Sequence, residues 1–115
     1  MIVLGGRLAV VVIMMVATAY CGCEQCTAPY YSETPITASG TIATEGRTIA
    51  AASDIPFGTR VWLRGIGPRV VEDRGGAITH GRIDVYFDDH NEALAFGVRH
   101  VFMYKLSLSP ERFEP

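Results

Sequence analysis

The segment EDRGGAITHGRIDVYF, residues 72–87, decides how the chain is read. Its last six residues alternate: Ile83, Val85 and Phe87 share one face, and Arg82, Asp84 and Tyr86 share the other. A period of two belongs to a β-strand with one buried face. Such a strand holds Asp84 rigidly on the outside of a core, with a cation and a phenol beside it, which is how a working acid is commonly presented. Upstream, Asp73 ends a second short strand, PRVVED, and is followed by Gly75-Gly76. A double glycine permits positive φ or close backbone approach, and a tight return there brings Asp73 back toward the next strand. An isolated aspartate is more often a turn cap or half of an ion pair, so the chemistry depends on whether the two acids meet.

The flanking sequence extends the β pattern. In DIPFGTRVWLRGIG a proline-gated turn leads into a strand over residues 59–64, with Val61 and Leu63 on one side and Arg60, Trp62 and Arg64 on the other. Turns are expected at Ser39-Gly40 and Glu45-Gly46, and RHVFMYKL reads as a last strand. The one convincing helix is DDHNEALAFG: Asp89 caps it, Glu92 completes a capping box, Ala93 and Phe96 share a side, and Gly97 ends it. Capping accounts for Asp88, Asp89 and Glu92 without catalysis, and His90, in the first turn, is expected to be exposed and idle. Frequent glycine and scarce helical periodicity favour a mainly β domain of short strands and tight turns.

Near the N-terminus, Leu8–Ala17 is a run of ten apolar residues. It is shorter than the roughly 20 residues a membrane helix needs, so no stable membrane span is expected. It fits the core of a signal peptide, with Arg7 before it and Ala17-Thr18-Ala19 as a cleavage site, or a buried first strand over Met14–Tyr20. Three cysteines follow in CGCEQC, at Cys21, Cys23 and Cys26. Zinc sites commonly use four ligands; a second CxxC is missing and the histidines that could complete a set, His80, His90 and His100, lie far along the chain, so no metal or cofactor is expected, a metal-bearing structural module organised by the cysteines being the weaker reading. A disulfide leaving one thiol, or small thiols lining a turn, are the alternatives. Tyr30 and Tyr31, in the loop TAPYYSETP, either stack on sugar rings or pin the loop to the core. The 115 residues suffice for one domain. A net charge of −2 without a basic stripe argues against nucleic acid as partner.

The order TAYC, TASGT, GRTIAA, IPFGTRV, EDRGGAI, GRIDVYF, EALAFG and YKL resembles the 3D domain, named for three aspartates, found in bacterial cell-wall proteins and stationary-phase or germination factors and related to the catalytic barrel of membrane-bound lytic transglycosylase A. The likeness spans about residues 16–106. It divides the chain into an apolar segment 1–15, a domain 16–108 and a tail 109–115. It implies a six-stranded double-psi β-barrel, with one short helix near residues 89–96, crossed by a substrate groove. It also implies cleavage of peptidoglycan between N-acetylmuramic acid and N-acetylglucosamine by an extracytoplasmic or wall-associated enzyme. Asp84 takes the position of the catalytic acid and Asp73 lies beside it; substrate-binding positions are expected at Thr37, Ser39, Gly75, Gly76, Arg82 and Tyr86.

Two departures from the family pattern stand out. Where the family has its first aspartate, this chain reads IAAASDIPFG, with Ala52 at that place and Asp54 two residues later. Where the family loop commonly reads GGAIKGN, this chain reads GGAITHG, placing His80 at the usual glycine and Gly81 one place late. A lytic transglycosylase works with one carboxyl group, whereas a hydrolase pairing Asp84 with Asp73 needs two. A non-catalytic wall-binding module would rely on exposed Trp62, Tyr86 and Tyr30 instead.

Overall fold

A computed structural model describes residues 6–27 and 32–110. Along the chain these form β1 (Gly6–Tyr20), α1 (Glu24–Thr27), β2 (Thr48–Ala51), β3 (Arg60–Leu63), β4 (Gly67–Asp73), β5 (Arg82–Tyr86), α2 (His90–Phe96) and β6 (Arg99–Pro110). The six strands close a barrel in the order β1-β5-β2-β4-β3-β6. Two pairs are parallel, β1 with β5 and β2 with β4; the others are antiparallel. This mixed, interleaved order is that of the six-stranded double-psi barrel. The helix at residues 89–96 is present, and a second, single-turn helix α1 lies in the cysteine segment. Among the described residues no helix is long and apolar enough to cross a membrane.

The barrel interior is filled by the inward halves of alternating strands. Ile83 and Val85 of β5, Ile49 and Ala51 of β2, Val61 and Leu63 of β3, Val71 of β4, Met15 and Ala17 of β1, and Val101 and Met103 of β6 form one core. In β3, Arg60 and Trp62 point outward, as the alternation requires. The long apolar run at the N-terminus takes the form of strand β1, extending well before Met14. It pairs with β6 from Gly6↔Pro110 to Ala17↔Arg99. Its apolar continuity reflects two apolar faces: Ile13 and Met15 face the core, while Val10, Val12 and Met14 are exposed on the other side. Gly40, Gly46 and Gly81 all have positive φ, so each supplies a turn that a side chain would strain.

β2 alone is buried along its whole length. Its core side is covered by the barrel. On its other side Thr48 donates to Glu72 Oε1 at 2.7 Å, and Arg47 Nε reaches the same oxygen at 2.9 Å. Burial alone would push the Glu72 carboxyl up, but the Thr48 and Arg47 donors outweigh it and hold it below the usual carboxylate range.

Ile83 is fully buried at the middle of β5. Ile83→Ala is expected to cost about 2–5 kcal/mol of unfolding free energy, measured by denaturant titration. An exposed change on the outer surface, such as Leu94→Ala, should cost far less.

Candidate active site

Four strands contribute to a single row across the outside of the barrel. Thr18 of β1 is in register with Asp84 of β5, Asp84 with Ala50 of β2, and Ala50 with Asp73 of β4. Registered neighbours project from the same side of a sheet, so the two aspartates flank one small residue. That alignment needs a shift in the β2/β4 pairing, which steps from Ile49↔Val71 to Ala50↔Asp73. β4 therefore spends one extra residue, Glu72, at the step. Such irregularities re-aim a side chain at the end of a strand.

Asp84, Ala50 and Asp73 of this row line a groove of about 570 Å³, bordered by Tyr20, Cys26, Thr27, Ile36, Thr37 and Ala38 as well as by Arg74, Gly75 and Gly76. Asp84 is partly buried there. Burial pushes its carboxyl up to about 6; the nearby Asp73 charge adds to the rise, while the Thr18 hydrogen bond and the Arg82 charge oppose it. Thr18 Oγ1 donates to Asp84 Oδ1 at 3.0 Å, leaving Oδ2 as the oxygen free of that bond.

Asp73 is held differently. Its Oδ2 accepts from the Tyr20 hydroxyl at 2.7 Å, and its Oδ1 accepts from the backbone N–H groups of Ala38 and Arg74, each at 2.9 Å. Burial and the adjacent Asp73 hold the Tyr20 phenol far above its ordinary range, so Tyr20 is a donor here and not an acid. The Arg74 guanidinium is directed to backbone carbonyls, reaching Ile55 at 2.8 Å and Ala51 at 3.3 Å, and lies over the Phe57 ring at 4.0 Å. It braces the IPFG turn, and Arg82 is the cation that acts on Asp84.

Of the expected substrate-binding residues, Thr37, Gly75 and Gly76 line the groove. Ser39 does not; it sits on the adjoining turn, where its N–H donates to Glu72 O at 3.1 Å. Arg82 is half-buried beside the site without lining it. Tyr86 departs most from expectation. It is 4% exposed, packs edge-on against Tyr20 with ring centroids 5.3 Å apart, and borders a smaller neighbouring cavity instead of the groove. Tyr20 and Gly22 pack against it, which strand alternation alone does not reveal.

Gly75 and Gly76 lack the positive φ that their pairing suggested. Gly75 serves close approach, since a Cβ there would meet Ile78 Cγ1 at 3.1 Å, and the left-handed turn falls at Gly81. Asp54 is absent from the groove wall and bonds His80 at 2.6 Å on the surface. His90 is neither exposed nor idle: it is half-buried, with Nδ1 3.3 Å from Cys23 Sγ. Trp62 lies on the outer face of β3 beside Tyr104, away from the aspartates, and Tyr30 and Tyr31 fall outside the described residues. The residues missed from sequence are Thr18, Tyr20 and Ala50. The signal for them was register: each lies on a strand paired, directly or through one neighbour, with an aspartate-bearing strand.

No curated protein shows a significant match to the chain. Its fold is similar to that in the crystal structure of MltA from E. coli, with a TM-score of 0.56 and 23% sequence identity over 68% of this chain and 29% of that one. The model of the 3D domain matches residues 47–107, from the turn before β2 into β6, and so includes Asp73, Asp84 and the bulged β2/β4 pair; the chain belongs to the 3D domain family.

Proposed function

We propose that the protein cleaves the glycan strand of peptidoglycan between N-acetylmuramic acid and N-acetylglucosamine, by lytic transglycosylation, with Asp84 as general acid and then base. The observation that carries this reading is a partly buried carboxyl raised to about 6 on the wall of an open groove. An acid with such a pKa holds its proton below about pH 6, where an ordinary aspartate has already lost it, and still gives it up readily. In this mechanism Asp84 Oδ2 donates its proton to the glycosidic oxygen as the bond to the anomeric carbon breaks. The muramic C6 hydroxyl then attacks that carbon, its proton passes to the Asp84 carboxylate, and an anhydro ring closes. The acid is regenerated without water.

A hydrolase would need a second carboxylate acting as base or nucleophile. Asp73 is the available group, but both its oxygens are engaged by Tyr20, Ala38 and Arg74. It also projects from the same barrel face as Asp84. This supports a positioning and electrostatic role for Asp73 and a one-acid mechanism. The wall-binding alternative is weakened by the aromatics: Tyr86 is buried and Trp62 lies away from the groove. Activity outside the cytoplasm follows from the proposed substrate.

Digestion of purified peptidoglycan with mass analysis of the fragments tests the reading. Anhydro-muramic ends are expected; ordinary reducing ends would mean hydrolysis, and binding without release of fragments would mean a binding module.

Asp84→Asn should lower cleavage by about 10² to 10⁴. The same change should raise stability at pH 7. A carboxyl whose folded pKa lies above its unfolded value of 3.8 binds its proton more tightly when folded. The folded state therefore loses stability as pH climbs from about 4 to about 6, and the neutral amide escapes that loss, on the order of 1–3 kcal/mol. Loss of cleavage together with loss of stability would point to a structural role for Asp84.

The groups around Asp84 predict the pH profile. These are Thr18 and Tyr20 from β1, Arg82 from β5, and Asp73 from β4. Cleavage that requires protonated Asp84 should decline as pH rises through about 6. Arg82→Gln removes an opposing charge and should move that limb to higher pH; Asp73→Asn removes a repelling one and should move it lower. A limb unmoved by both variants would assign it to another group.

A further inference from the structure

The three cysteines and His90 converge at one end of the barrel. β1 and β5 run parallel and finish in register at Tyr20↔Tyr86, and the Phe87 N–H donates to Tyr20 O at 2.8 Å. Both strands therefore leave the barrel at the same end, one into Cys21 and the other into Asp89 and His90. This accounts for a contact between residues 64 to 69 positions apart. Asp89 caps α2 by accepting from the Glu92 N–H at 3.1 Å, which fixes the first turn carrying His90. On the other side, Cys26 N–H and Thr27 N–H both donate to Cys23 O at 3.1 Å, forming the single turn of α1 that sets Cys26 beside Cys23. Gly22 is the hinge between the first two cysteines. A Cβ there would meet Pro35 Cβ and the Tyr86 hydroxyl, each at 3.1 Å.

The resulting donor set is compact. His90 Nδ1 lies 3.5, 3.3 and 3.5 Å from the sulfurs of Cys21, Cys23 and Cys26, and the Cys21 sulfur lies 3.0 and 3.3 Å from the other two. All four ligand atoms fall within 4.8 Å of one another. A tetrahedral zinc with Zn–S of about 2.3 Å and Zn–N of about 2.0 Å needs S···N edges of about 3.5 Å and S···S edges of about 3.7 Å. The S···N separations already match, and the Cys21 sulfur needs to part from the other two by about 0.4 to 0.7 Å. A sulfur separation of 3.0 Å is well beyond the ~2.05 Å of a disulfide.

We infer that Cys21, Cys23, Cys26 and His90 Nδ1 form a structural zinc site that clamps the α1 segment to α2. Four protein ligands close the coordination sphere, so the ion takes no substrate. Its effect on the groove is mechanical: Cys26 and Thr27 border the groove that holds Asp73 and Asp84, and the ion fixes that border. The site does not depend on the reaction proposed above.

The test is metal analysis of full-length protein purified under reducing conditions without chelator, followed by replacement with cobalt. The expected result is zinc equimolar with the chain, and a cobalt form with the intense visible bands of a tetrahedral thiolate site. His90→Ala should lower bound zinc about tenfold or more and lower the melting temperature, whereas His100→Ala, an exposed histidine elsewhere, should leave both unchanged. Should the His90 variant fail to fold, the cobalt spectrum of the unmodified chain still decides the matter. The proposal is overturned by reduced protein that carries no zinc and gives no tetrahedral cobalt spectrum. It is equally overturned by a native disulfide between two of the cysteines, or by zinc retained in full by His90→Ala.

Discussion

β2 is four residues long, yet the site depends on where it sits: between β4 and β5, with Ala50 as the shared partner of Asp73 and Asp84. Regular pairing with β4 would continue from Ile49↔Val71 to Ala50↔Glu72. The observed step skips Glu72 and brings Asp73 level instead. The skipped carboxylate would be a liability in a buried location. Thr48 and Arg47 resolve it with two hydrogen bonds to one oxygen, so the shift is held in place by the residue it displaces. Ala50 completes the arrangement, because a larger side chain between the acids would fill the groove wall they share.

From that register follow two different environments for two chemically identical side chains. Asp84 receives one side-chain hydrogen bond and sits partly out of water, so desolvation dominates and its carboxyl rises. Asp73 receives three hydrogen bonds, two from backbone N–H groups that cannot rotate away. A fixed charge beside a desolvated acid reinforces the rise, while Arg82 limits it. The arrangement places the Asp84 carboxylate in a poorer environment than water would offer it, and the barrel core beneath supplies the stability that tolerates this.

Much of this was legible in the sequence. The alternation in residues 82–87 gave the inward Ile83 and Val85 and the outward Asp84, because a strand with one buried face must alternate. The α2 cap was legible for the same reason of local chemistry: Asp89 and Glu92 solve the unpaired N–H groups of a helix start. What escaped was everything set by pairing between distant strands. Tyr20 and Thr18 reach the aspartates through the parallel β1/β5 pair, and no local pattern announces a parallel register. Tyr86 was assigned to the correct face but to the wrong solvent exposure, since the segment that covers it comes from elsewhere in the chain. His90 was misread because a position in a first helical turn says nothing about which loop lies opposite.

The two departures from the family pattern turn out to be one feature. Asp54 and His80, the residues at which the chain departs from the expected pattern, are bonded to each other at 2.6 Å. Both side chains are exposed, so the pair contributes little to stability. Its consequence is positional. Asp54, in the turn before β3, is directed to the loop before β5 and not into the groove. Gly81, with positive φ, supplies the turn that leads into β5, the strand whose register brings Thr18 and Ala50 level with Asp84. The groove wall thus carries Asp73 and Asp84, both set by the β2 register, while Asp54 stays outside it.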